Sequence, residues 1–258
     1  LFLVGCMSGH SKWHNIKLRK GKADAQRGAL FTKLSKEIIL AAKNGSPDPA
    51  ANYRLKMAVD KARANNMPAE NIKRAISRAS GAGEKEIEEI RYEGYGPAGV
   101  AVIVDAATDN RNRTASELRF LFSRNEGSLG ETGSVGWMFA PRGLIGVDPG
   151  ALNEDALTEK ALVDGVIDVR FGPSTSSGQA SEVVTEPQLL MAVKDALEAG
   201  GLHVNSAELA MEATQTTRPA DADAEKVLTF LDALEEHEDV QRVYSNVDFD
   251  EAQLEALA

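Results

Sequence analysis

The residues with the clearest capacity for chemistry lie between Gly9 and Leu34, in GHSKWHNIKLRKGKADAQRGALFTKL. Lys12, Lys17, Arg19, Lys20, Lys22, Arg27 and Lys33 stand there against one acid, Asp24, with Trp13 and His14 among them. Cations at this density neutralise phosphates, and a ring set among them stacks on bases. A second cationic pair, Arg111 and Arg113, falls with Asn110 and Asn112 in a stretch predicted as a polar loop over 109–114. The two sets are the candidate nucleic-acid contacts. The lysines and arginines would take phosphates, while Trp13 and His14 stack or order the arm.

Other motifs carry less. Gly94, Gly96 and Gly99 satisfy the spacing of a dinucleotide fingerprint. Pro97 interrupts it, however, and a β-branched strand follows where a helix must open, so the glycines suit a hairpin turn better. His10 and His14 are four apart but have no nearby carboxylate or thiolate to complete a metal shell, and His203 and His237 lack a second ligand at recognisable spacing. His237, inside Glu235-Glu236-His237-Glu238-Asp239, reads as a solvated helix end. Neither a nucleophile elbow nor a P-loop lysine occurs. No catalysis, metal or cofactor is therefore expected. Trp137, Met138 and Phe139 are expected in a core, with base stacking as the alternative.

The chain of 258 residues has a formal net charge of −10, unevenly distributed. Residues 7–80 hold 16 Lys and Arg against 5 Asp and Glu, and residues 81–258 hold 13 against 34. A cationic first segment can face a polyanion while the remainder keeps the chain soluble or meets a basic partner. The lone Cys6 excludes an internal disulfide framework and fits a reducing, cytoplasmic setting. No apolar run reaches the roughly 18 residues of a membrane span. Residues 1–6, LFLVGC, are expected to lie upstream of a natural start at Met7 and outside the fold.

The elements that must position these residues fall in three blocks of an α+β chain. Residues 7–80 form a basic arm and a helical domain, with helices over 22–43, 50–64 and from Pro68 to 80. No short glycine-containing turn marks a recognition helix there, and the 44–49 connection is long and Pro-rich. Residues 81–133 with 215–258 are expected to form a discontinuous α/β domain, because a terminal helix and one strand cannot stand alone. Its strands are predicted at 90–93, 100–105 and 240–247. One helix starts at Thr114, with Glu117 completing a capping box, and another covers 222–236. Residues 134–214 form an inserted domain, with strands over 136–147, 166–171, 182–185 and 207–213 and helices over 154–163 and 187–199. That β-α-β-β-α-β order is ferredoxin-like. The Ser-rich stretch 172–181 is expected as a hairpin tip without chemistry.

Four stretches carry a resemblance: MSGHSKWHNIKLRKGKADAQRGALFTKLSKEI, NYRLKMAVDKARANNMPAENIKRAI, YEGYGPAGVAVIVDAATDNRNRTASELR and GSVGWMF. In this order they resemble the YebC family of bacterial regulators, which includes mitochondrial translational activators of cytochrome c oxidase. The resemblance spans residues 7–258. Leu18 stands where the family usually has histidine, Ala98 where its YEGYGPGG turn has glycine, and the 172–181 insertion is peculiar to this chain. The resemblance implies a helical N-terminal domain and two α/β domains, one inserted in the other. It also implies a non-enzymatic role. One form is a probable transcriptional regulator on promoter DNA. Another is a translation factor on the ribosome, meeting ribosomal RNA or tRNA and easing passage through proline-rich stretches. The charge division allows a third, an acidic protein-interaction adaptor. Oligomeric state is left unassigned.

Overall fold

The computed structural model describes residues 25–79, 86–171, 181–250 and 252–253, with the side chains of 25–27 outside it. The arm before Ala25, the linker 80–85 and the tip 172–180 lie outside the described residues. The described chain begins with three helices, α1 (Ala25–Lys43), α2 (Tyr53–Ala64) and α3 (Ala69–Ala79). Leu34 and Ile38, Leu55, Val59 and Ala62, and Ile72 and Ala75 recur at three to four residues, so each helix turns one apolar stripe inward. α1 packs on both α2 and α3, which touch each other less. α2 starts three residues later than predicted because Asn52 caps it. Its Oδ1 accepts from the Leu55 N–H at 3.1 Å, while its amide donates to the Ala41 and Ser46 carbonyls at 2.7 Å each.

α2 reverses into α3 within four residues. Asn66 adopts a left-handed φ of 59°. Its N–H donates to the Arg63 carbonyl, and the Met67 N–H reaches back to Ala62, both at 2.9 Å. This is a Schellman motif with asparagine where glycine is commonest. Met67 is buried beside it, and the Pro68 carbonyl accepts the Asn71 and Ile72 N–H groups in the first turn of α3. The helical domain therefore contains a short turn between its second and third helices, built without glycine. Asparagine is the non-glycine residue that reaches this conformation most readily.

Next come β1 (Glu88–Tyr95), β2 (Ala101–Thr108), α4 (Arg111–Arg124) and β3 (Ser128–Leu129). They are followed by β4 (Phe139–Asp148), α5 (Glu154–Ala161), β5 (Val166–Arg170), β6 (Ser181–Thr185), α6 (Leu190–Ala199) and β7 (His203–Ala213). α7 (Asp221–Glu236) and β8 (Val240–Ser245) close the described elements. No described helix is long and apolar enough to cross a membrane. Two four-stranded sheets result, ordered β3-β1-β2-β8 and β5-β6-β4-β7. The second has the ferredoxin-like order, with β4 antiparallel to both β6 and β7 and β6 antiparallel to β5. One compact unit holds the three helices and most of the first sheet with α4 and α7, and another holds the second sheet.

Several local expectations are corrected. α4 opens at Arg111, not Thr114, because the Asn110 side chain accepts from the Arg113 N–H at 3.2 Å and is the cap. The 109–114 stretch is thus mostly a helical first turn. Ser181 opens β6 and is buried rather than sitting in a tip. Residues 136–138 form a 3-10 turn, so β4 starts at Phe139. Phe139 enters the core as expected, whereas Trp137 is 62% exposed. In the turn after β1, Ala98 is held at φ 57°. A Cβ there is disfavoured by about 1–2 kcal/mol, partly offset by glycine's greater unfolded freedom. Ala98→Gly should therefore raise stability by about 0.5–1 kcal/mol, and an unchanged denaturation midpoint would show that the turn absorbs no strain.

Candidate nucleic-acid interface

Whether a cation is displayed or already engaged depends on the acids around it. Lys12, Trp13, His14, Lys17, Arg19, Lys20 and Lys22 lie outside the described residues, as does the side chain of Arg27. Lys33 is half-buried on α1, and its ammonium donates to the Glu235 carbonyl in the last turn of α7. A cation there meets the negative end of the helix dipole. Arg111 is exposed at the start of α4 and has no ion pair among the described residues. Arg113, two residues on, turns the other way and is committed.

Its partner is Asp239, which is fully buried and joins three elements. Arg113 donates to Asp239 Oδ2 at 2.9 Å, and the Thr114 hydroxyl reaches the same oxygen at 2.7 Å. Lys36 of α1 approaches Oδ1 at 2.5 Å, and the Asp239 carbonyl accepts from the Ala107 N–H of β2 at 2.7 Å. Burial pushes the carboxyl pKa up, but the hydrogen bonds from Lys36, Arg113 and Thr114 outweigh it and hold it at about 2. Asp239 thereby pins the helical segment to the first sheet and engages Arg113, which stays partly exposed.

His237 corrects another expectation. It is not a solvated helix end: its Nδ1 accepts from the Asp239 N–H at 3.1 Å, and Nε2 faces Glu117 Oε2 at 3.0 Å. Glu117, His237 and Asp239 offer ligand atoms within 4.8 Å of one another. Both Asp239 oxygens are already neutralised by Lys36, Arg113 and Thr114, so the arrangement works as a latch between α4 and the end of α7. Sequence spacing could not reveal it, because Glu117 and Asp239 are 122 positions apart.

Glu93 is a second buried carboxylate that sequence reasoning missed. It accepts the Gly133, Val135 and Gly136 N–H groups at 3.0, 2.9 and 2.7 Å. Burial raises its pKa, yet those three donors together hold it below the usual carboxylate range. A Cβ on Gly136 would come within 3.2 Å of that carboxylate, while Gly133 supplies the left-handed φ of 89° that turns its N–H toward it.

Further cations are displayed on α2 and α3. Arg54 pairs with Glu89, and Lys61, Arg63 and Lys73 pair with Glu37, Asp60 and Glu70 at 3.2 Å each. Such exposed pairs are worth under about 1 kcal/mol and exchange readily for a phosphate. Lys56 and Arg74 are exposed with no ion pair among the described residues.

Comparison with known proteins gives matches along nearly the whole chain. Residues 11–82 match the family model described as TACO1/YebC protein N-terminal domain, and residues 87–247 match TACO1/YebC second and third domain. A relative from Nitrosococcus oceani is 50% identical over 97% of this chain and 100% of its own, and one from Chlorobium luteolum is 47% identical over 97% and 99%. Both are described as probable transcriptional regulatory proteins. The crystal structure of a conserved hypothetical protein, Aq1575 from Aquifex aeolicus, superposes with a TM-score of 0.80 at 42% identity, covering 89% of this chain and 93% of that one.

Proposed function

We propose, because the chain belongs to the TACO1/YebC family, that it is a non-enzymatic, nucleic-acid-binding regulator of gene expression with DNA as its polyanion. The observation that carries this is the division of charge along the chain, read against the exposed cations of α2 and α3. Residues 7–80 hold 16 basic against 5 acidic residues, and Lys56 and Arg74 stand in solvent without an acid partner among the described residues. A cationic surface on an otherwise acidic chain supplies the salt-dependent, sequence-independent part of nucleic-acid binding. The arm, through Lys12, Lys17, Arg19, Lys20, Lys22 and Arg27 with Trp13 and His14, adds phosphate contacts and stacking. Arg111 adds one contact from α4. The names of the relatives, probable transcriptional regulatory proteins, point the same way.

The test is binding of the full chain to random duplex DNA and to purified ribosomes across a salt series. DNA affinity should fall linearly on a log–log plot, and a Lys17→Glu, Arg19→Glu, Lys20→Glu variant should bind more weakly with a slope shallower by about 3. Tight ribosome association with negligible DNA binding would move the function to translation. No change on charge reversal would leave the arm as a solubilising tail and favour a protein adaptor.

A further inference from the structure

The α2–turn–α3 unit is built as a helix-turn-helix, and we propose that α3 is a recognition helix that enters the major groove of duplex DNA. This rests on the nucleic-acid reading above and adds the element, the groove and the residues that would read bases. Three observations carry it.

The first is the turn. A helix-turn-helix needs two helices joined by three or four residues, one of which bends the chain sharply. Asn65, Asn66, Met67 and Pro68 are those four, and Asn66 supplies the bend at φ 59°. Ala62 is fully buried in the last turn of α2, and Met67 is buried just after the bend. A small residue followed by a large apolar one lets the two helices close on each other at the corner.

The second is the support. α1 packs on both helices of the pair, so the unit is held from behind, and Lys56, Lys73 and Arg74 on its other side are exposed among the described residues. In this motif the first helix of the pair crosses the DNA backbone while the second lies in the groove. Lys56 of α2 is exposed and suited to a phosphate.

The third is the face of α3. Ile72, Ala75, Ile76 and Ala79 turn toward the core, and Glu70, Lys73, Arg74, Ser77 and Arg78 are exposed. The helix is about 16 Å long, and the major groove about 12 Å wide admits a helix of ordinary diameter. Arg74 and Ser77 sit mid-face. Arginine reads guanine in a bidentate fashion, glutamate accepts from cytosine, and serine bonds to either edge. α3 carries no aromatic ring, which single-strand readers use as a stacking platform, so the face favours duplex readout over single strands.

The experiment selects from a pool of duplex DNA with a randomised core of about 20 base pairs, using the full chain. An enriched sequence is expected. Arg74→Ala should then weaken binding to the enriched duplex by about 10- to 100-fold while changing affinity for a shuffled duplex less than about 3-fold. Lys56→Ala should weaken both duplexes equally and lower the salt slope by about 1. Both variants are surface changes, and unchanged circular dichroism confirms the fold. If Arg74→Ala weakens enriched and shuffled duplexes alike, or if no sequence is enriched, α3 is not a recognition helix, though the nucleic-acid reading stands. Binding to a single-stranded uridine 20-mer but not to duplex overturns the groove assignment in favour of RNA. If no nucleic acid is bound at low salt, this proposal and the functional reading fall together.

Discussion

Asp239→Ala should destabilise the folded chain by about 3–5 kcal/mol, the cost of leaving two partly buried cations without their counter-charge. The lower end of that range is expected, because Lys36 and Arg113 retain 15% and 37% side-chain exposure and can recover some hydration. Asp239→Asn tests the charge separately from the shape. The pH dependence follows from the direction of the shift. The carboxyl pKa falls from 3.8 to about 2 on folding, so its contribution is complete above about pH 4 and is lost as the pH falls through about 2. That contribution is about 2 kcal/mol. Urea melts at neutral pH and again near pH 2 should show the gap between the parent chain and Asp239→Asn narrowing with acid. A gap that stays constant would mean that the carboxylate is not the group linking stability to pH. Because Lys36 belongs to α1 and Arg113 to α4, the variant should also loosen the helical segment from the sheet, read as faster amide exchange in α1 than in β2.

Phe230→Ala should cost a further large amount, about 3–5 kcal/mol, by opening a cavity at the centre of the first unit. Phe230 is fully buried on α7 and meets Phe122 of α4 edge-on, ring centroids 4.9 Å apart at 79°. Its ring also lies against Gly96, where any Cβ would strike it. This makes a double-mutant cycle informative. Gly96→Ala alone should be unfavourable by about 1–3 kcal/mol through overpacking, but close to neutral once Phe230 is alanine. Additive losses would mean that the Phe230 ring is not what the added methyl meets, since Gly96 has an ordinary φ of −86° that alanine also adopts. Thermal or urea unfolding of the four chains settles the point.

How much of this was legible in the sequence depends on the range of the interaction. The ferredoxin-like order of the second sheet followed from apolar spacing and turn residues, because each of its elements adjoins the next in sequence. The start of α4 was misplaced because Thr114 with Glu117 matches a capping box, while Asn110 four residues earlier offers an equally good acceptor; the hydroxyl of Thr114 faces Asp239 instead. The turn at Asn66 was invisible to a search for glycine, although Asn-Asn-Met-Pro carries the left-handed residue, the buried residue and the helix opener in order. His237 looked solvated because four acids surround it in sequence. The packing that half-buries it comes from α4, more than a hundred residues away. Trp137 reads as core because the sequence suggests a strand from Gly136, and the 3-10 turn that delays the strand to Phe139 leaves no mark in that pattern. Lys33 and Arg113 read as candidate phosphate contacts in one dimension, where neither the carbonyl of Glu235 nor the carboxylate of Asp239 is visible beside them.

The strand order of the first sheet also bears on how the chain is made. β2 lies between β1 and β8, and roughly 130 residues separate the end of β2 from the start of β8. At about 5–20 residues per second, a translating ribosome leaves one edge of β2 without its partner for about 7–26 s. Meanwhile every strand of the second sheet emerges, and that sheet has edges of its own. A nascent chain therefore presents an apolar, unpaired strand beside a complete sheet for much of its synthesis, when wrong pairing is easiest. β8, the last of the described strands to leave the ribosome, closes that edge, and a chain released before Val240 keeps it open.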